Sequence, residues 1–76
     1  VERDGDRAFE LFKESADMGY APAQCDLGVC YETGQGTESD LDMAIELYKQ
    51  SAEQEYPMAK SNLGALYYFA AGVERD

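Results

Sequence analysis

Ser15 and Ser51, 36 residues apart and each followed by alanine, are the first residues to test for nucleophilic chemistry. A serine hydroxyl attacks only beside a base, and a chain without histidine leaves lysine for that role. Lys13 and Lys49 each precede a serine by two positions, which on a helix puts them on the opposite, exposed face. Neither serine opens an S-x-x-K sequence, so small residues at a tight helix contact are the reading for both. The aspartate pairs Asp4/Asp6 and Asp40/Asp42 suggest calcium, but the glycine and bidentate glutamate of a calcium loop are missing at the required spacing. Helix capping explains these acids instead. Cys25 and Cys30, five residues apart on one helix, have α-carbons roughly 8 to 9 Å apart, too far for a disulfide between them. Two cysteines without histidine make no zinc constellation. No catalytic residue, metal or cofactor is expected. Tyr20, Tyr31, Tyr48, Tyr56, Tyr67 and Tyr68 could be taken for a ligand-stacking box, yet most recur at one fixed interval, which is what core or inter-repeat packing produces.

That interval organises the whole chain. Shifted by 36 residues, Val1 to Asp40 align with Thr37 to Asp76, and 17 of the 40 pairs are identical. The identities include Asp4/Asp40, Ala8/Ala44, Leu11/Leu47, Ser15/Ser51, Ala23/Ala59, Leu27/Leu63, Gly28/Gly64 and Tyr31/Tyr67. The run Val1 to Asp4 returns intact at Val73 to Asp76. A fixed period in this range marks a stacked array of repeats. Asp4 and Asp40 read as N-caps, with Asp6 and Asp42 in the first turn, where the helix dipole favours negative charge. On the first helix Ala8, Leu11, Phe12, Ser15 and Ala16 form the face to be buried. Gly19 suits a left-handed C-cap, and Pro22 the first turn of the next helix. The second helix carries Ala23, Leu27, Cys30 and Tyr31 on one face. Gly28 in its middle costs about 1 kcal/mol relative to alanine, which implies close approach of a neighbouring helix backbone, with Gly64 in the same role. Gly34 and Gly36 end that helix with residues free to take positive φ. The second copy repeats the pattern with Ala44, Leu47, Tyr48, Ser51 and Ala52, then Ala59, Leu63, Leu66 and Tyr67. Its last helix is expected to run a turn longer and stop at Gly72. Cys30, replaced by Leu66, reads as core, and Cys25, replaced by Ser61, as a partly exposed thiol.

The pattern A-x-x-L-x-x-x-x-A-x-x-G followed by A-x-x-x-L-G-x-x-Y-x-x-G-x-G and Asp is carried here by Ala8, Leu11, Ala16, Gly19, Ala23, Leu27, Gly28, Tyr31, Gly34, Gly36 and Asp40. It resembles the Sel-one-like repeat, a relative of the tetratricopeptide repeat, over the whole chain. The second copy departs at Glu55 for Gly19 and at Ala70 for Gly34. The resemblance implies an all-α fold: a right-handed α/α solenoid of two helix-turn-helix repeats, about 4–39 and 40–75, with four antiparallel helices. It also implies a non-catalytic scaffold or adaptor for a protein or peptide, its first helices lining the concave side. Some secreted members tie their helix pairs with regularly placed cysteines, a framework this chain lacks. Penicillin binding or β-lactam hydrolysis suggested for related proteins makes a cell-wall or β-lactam-related enzyme the competing class. The missing histidine and S-x-x-K weigh against it, and labelling by a β-lactam would favour it.

The 76 residues make one small domain, expected to be a piece of a longer array or a two-repeat unit, with neither a signal peptide nor a membrane span. Six basic residues against 16 acidic ones give a net charge of −10, which disfavours nucleic acid and anionic lipid as partners. The first helices would present Arg7, Glu10, Lys13, Glu14 and Asp17, with Met43, Glu46, Lys49, Gln50 and Glu53 one period on. Tetratricopeptide domains that grip a C-terminal carboxylate use clustered lysine, arginine and asparagine, so a carboxylate clamp is not expected. A basic or neutral protein segment is favoured. Tyr68 and Phe69 replace Glu32 and Thr33 of the first copy, turning apolar where their counterparts are polar. That flank is the second candidate surface, and self-association through the uncapped terminal repeats is expected.

Overall fold

The computed structural model describes residues 4–69, with side chains from 6 onward. Four helices follow one another: α1 (Asp4–Asp17), α2 (Ala21–Thr33), α3 (Leu41–Glu53) and α4 (Pro57–Tyr67). No strand occurs among the described residues. The predicted stop at Gly72 lies outside them; the regular α-helix ends at Tyr67, and a π turn takes in Tyr68 and Phe69.

Local chemistry sets the boundaries. Asp40, in extended conformation, caps α3 by accepting from the Met43 amide at 3.2 Å. The side chain of Asp4 lies outside the described residues. Pro22 and Pro57 occupy the first turns of α2 and α4, where a missing amide hydrogen costs no helical bond. Gly34 closes α2 at φ 78°, its amide donating to the Cys30 carbonyl. Gly19 turns the chain between α1 and α2 at φ 90°, and Glu55 takes the same left-handed conformation between α3 and α4, at φ 64°. The turn shape therefore survives the loss of its glycine.

The central helix is α2, which packs against α1 and more extensively against α3, and also meets α4. Ala21, Ala23, Gln24, Cys25, Leu27, Gly28 and Cys30 are all buried on it, so it buries more than the single face expected from periodicity. Two clusters form the core. Ala16, Ala23, Leu27 and Leu47 join α1, α2 and α3, flanked by Phe9, Phe12 and Tyr31. Phe9 and Tyr31 meet edge to face, centroids 5.6 Å apart. Cys25, Ala44, Tyr48, Ala59 and Leu66 join α2, α3 and α4.

Several expectations are corrected here. Leu11 is 56% exposed whereas its repeat equivalent Leu47 is 8% exposed, because Leu47 packs with Leu27 and Ala23 of α2 and, among the described residues, no helix lies over Leu11. Tyr20 and Tyr67, grouped with the packing tyrosines, are also exposed. Gly28 faces the ring of Tyr48 and not a helix backbone, and a β-carbon on Gly64 would meet nothing within 4 Å. Cys25, expected to be partly exposed, is 1% exposed, packed in the cluster of Tyr48 and Ala59 with the Asn62 amide donating to its sulfur at 3.5 Å.

Candidate partner-binding surface

α1 and α3 both pack on α2, with no close backbone approach to one another, and each presents a charged outer ridge. Arg7, Glu10, Lys13, Glu14 and Asp17 are exposed on α1, and Met43, Glu46, Lys49, Gln50 and Glu53 are exposed on α3. Five acids (Glu10, Glu14, Asp17, Glu46, Glu53) thus stand with three bases (Arg7, Lys13, Lys49) along the two ridges. Tyr68 and Phe69 lie at the other end of the molecule, after α4. They are 58% and 66% exposed, with ring centroids 5.2 Å apart in an edge-to-face pair. The structure does not bring them together with the α1 ridge, so the twelve candidates form two surfaces.

The α2–α3 junction explains which polar residues are structural. Ser51 is fully buried and its hydroxyl donates to the Ala21 carbonyl at 2.8 Å. That bond engages the hydroxyl a nucleophile would use. Tyr48, also fully buried, donates to Glu32 Oε1 at 2.7 Å. Burial chiefly, and then the Glu32 hydrogen bond and charge, push the Tyr48 hydroxyl well above the usual tyrosine range. Gln54 Nε2 bridges the Gly19 carbonyl at 2.8 Å and Gln24 Oε1 at 2.9 Å. Sequence reading missed the Gln24–Gln54 pair. The signal was there, since Lys60 and Met18 replace these residues in the other copy, so the polar pair appears only where two repeats meet.

Among the described residues no group of three or more acidic, cysteine or histidine side chains is placed to hold a metal. Both cysteines are free thiols, and among the described residues no helix is long and apolar enough to cross a membrane.

The arrangement is similar to known proteins. A crystal structure of a Sel1 repeat protein from Oxalobacter formigenes superposes with a TM-score of 0.83 at 31% identity, over 92% of this chain and 29% of that one. Chitin synthase regulatory factor 3 of Schizosaccharomyces pombe is 66% identical over 29 residues, which are 38% of this chain and 3% of that protein. DAP3-binding cell death enhancer 1 of Rattus norvegicus is 48% identical over 33 residues, 43% of this chain and 6% of that protein. The chain thus spans a small part of each curated relative. The Sel1 repeat model matches residues 1–20, 21–56 and 57–76, the second and third matches starting 36 residues apart at the first residues of α2 and α4. With that model matched across its whole length, the chain belongs to the Sel1 repeat family, whose members are in general protein-interaction scaffolds.

Proposed function

We infer that this chain is a non-catalytic segment of an interaction scaffold, and that its α1 and α3 ridges receive a basic or neutral segment of another protein. The exposure of these side chains supports this reading, because the outer faces of α1 and α3 carry more acids than bases. Glu10, Glu14, Asp17, Glu46 and Glu53 attract lysine or arginine side chains, while Arg7, Lys13 and Lys49 set their spacing and Met43 and Gln50 supply neutral contact. Electrostatic complementarity of this kind raises the association rate and weakens as salt rises. Phosphate backbones carry the wrong sign for such a surface.

Glu10, Glu14 and Glu46 reversed together to lysine test the reading. All three are exposed, so the circular dichroism spectrum should stay that of the parent. Binding of a labelled Lys/Gly peptide should fall by at least about tenfold, and its salt dependence should flatten. Unchanged affinity and salt dependence would eliminate the acidic surface. The second reading, docking on the Tyr68 and Phe69 flank, is favoured by the exposure of both rings and predicts binding indifferent to those three reversals.

A further inference from the structure

The serines and threonines of the chain are Ser15, Thr33, Thr37, Ser39, Ser51 and Ser61, and four of these lie within helices. Ser51 is buried with its hydroxyl on the Ala21 carbonyl, and Thr33 bonds the Val29 carbonyl inside α2. Thr37 and Ser39 alone stand in backbone without regular structure, in the segment that joins α2 to α3. An acid three positions after a hydroxyl also occurs only at these two, Asp40 after Thr37 and Asp42 after Ser39. This segment lies between two packed helices, away from both ends of the chain.

A serine followed at the third position by an acid reads first as a capping box, but here the cap lies elsewhere. Asp40 is the N-cap of α3, its Oδ1 accepting from the Met43 amide at 3.2 Å, so Ser39 stands one residue outside the helix. Its hydroxyl donates to the Glu32 carbonyl at 3.3 Å. That is long for an O–H···O bond, so the hydroxyl is lightly held, and the residue is exposed. The spacing of Ser39 and Asp42 therefore has no capping role.

The charges around Ser39 are of one sign. Glu38, Asp40 and Asp42, one position before it and one and three after it, are all exposed, and no lysine or arginine occurs between Lys13 and Lys49. Enzymes that read flanking charge select by complementarity and by repelling the wrong sign. A kinase that selects basic residues finds none here, and one directed by proline finds no proline after either hydroxyl. Ser39 is favoured over Thr37 on two grounds. Thr37 is half-buried whereas Ser39 is exposed, and the acid third after Thr37 is Asp40, whose carboxylate is held on the Met43 amide.

A kinase cleft receives its substrate as an extended segment, so the first turn of α3 must open as far as Asp42. Leu41, Asp42 and Met43 are exposed, and Ala44 is the first buried residue of that helix. Opening the turn uncovers no core, which makes it a low-energy local event. On the other side Gly34 and Gly36, both at φ 78°, set the segment off from α2.

We propose that Ser39 is a phosphoacceptor for an acid-directed protein kinase. Its Oγ attacks the γ-phosphorus of ATP and the bond from that phosphorus to the bridging oxygen breaks. ADP leaves with the electron pair, and the hydroxyl proton passes to the kinase's catalytic aspartate. The phosphoserine carries about 1.5 to 2 negative charges and no donor, so the bond to the Glu32 carbonyl is lost. The new charge stands just before α3, where the helix dipole favours it, and the Asp40 amide still donates to the Tyr31 carbonyl at 2.8 Å. The modification is a surface mark that leaves the fold in place, and it does not depend on the acidic-surface reading.

The full chain incubated with casein kinase II, an acid-directed kinase, and magnesium ATP should gain one phosphate, placed on Ser39 by fragmentation mass spectrometry. Ser39→Ala should lose it. Asp42→Asn should slow the transfer by about tenfold or more, and Asp42→Glu should restore the rate. A kinase that selects basic residues should transfer nothing to Ser39. Circular dichroism should be the same for the parent, the variants and the phosphorylated chain. A chain that gains no phosphate, a phosphate on Thr37 with Ser39 unmodified, or a rate indifferent to Asp42→Asn would each overturn the proposal. Loss of helix signal on phosphorylation would overturn the surface mark.

Discussion

A β-carbon on Gly28 would lie 2.7 Å from Cε1 and 2.8 Å from Cδ1 of Tyr48, so the absent side chain on α2 is what admits the fully buried ring of α3. The ring cannot swing away, because its hydroxyl is held by Glu32 and its faces are packed in the core cluster. Gly28 and Gly64 share a repeat position and have opposite surroundings.

Gly28→Ala should therefore lower stability by about 1 to 3 kcal/mol through overpacking, despite alanine's better helix propensity. Gly64→Ala should raise it by about 1 kcal/mol, the propensity gain alone. Urea denaturation of both variants in dilute solution reads the contrast. Equal effects of one sign would show that the two sites are alike.

Tyr48→Phe removes the bond to Glu32 and should cost about 1 kcal/mol at neutral pH. The hydroxyl's pKa is raised in the folded chain, chiefly by burial and then by Glu32. Below about pH 10 folded and unfolded chains both keep the proton, and the contribution is fully present. Above it the unfolded chain loses the proton first, so stability falls by up to about 1.4 kcal/mol per pH unit. The phenylalanine variant lacks that slope. The difference in stability between parent and variant should close as pH rises past that value.

Burial first, and then the charge of Asp26, raise the thiols of both Cys25 and Cys30, while the Asn62 hydrogen bond lowers that of Cys25 in part. Both should react with Ellman's reagent at least about tenfold more slowly in the folded chain than in urea. Fast labelling of one thiol under native conditions would restore the partly exposed Cys25 expected from its replacement by serine.

Glu55 holds a positive φ of 64° where the first repeat has glycine, and its carboxylate pairs with Lys60 at 2.6 Å on the open surface. Exposed pairs of this kind contribute little, whereas a side chain in the left-handed region is strained. Glu55→Gly should raise the melting temperature, and Gly19→Ala, at φ 90°, should lower it. A fall for Glu55→Gly would mean that the ion pair outweighs the backbone strain.

Much of this was legible from pattern alone. The Asp40 cap, the left-handed Gly19, Gly34 and Gly36, and the buried Ala44, Leu47, Tyr48 and Ser51 follow from local chemistry and helical periodicity. The exposed placement of the charged residues on α1 and α3 follows from the same wheel. What escaped is whatever depends on position in the stack. Leu11 and Leu47 are identical in type and phase, and so are Gly28 and Gly64, yet periodicity cannot say which member of each pair has a neighbour. Cys25 escaped because its cover comes from Tyr48 and Asn62 on two other helices. The polar pairs Tyr48–Glu32 and Gln54–Gln24 show up only as breaks in the repeat, when both partners of a contact change together.

The hydrogen bonds across α2 and α3 also decide how the array deforms. Three of them, at 2.7 to 2.9 Å, tie Tyr48, Ser51 and Gln54 to partners spread along α2. A slide of one helix past the other by a single residue rise, about 1.5 Å, would break them all, since a hydrogen bond loses its strength within a few tenths of an ångström. The α1–α2 contact is made by apolar residues such as Ala16, Ala23, Leu27 and Phe9, whose dispersion contacts are many, weak and without direction. The joint between repeats is thus the rigid hinge-pin and the hairpin within a repeat the compliant leaf, so a load along the array is taken up first by the hairpins.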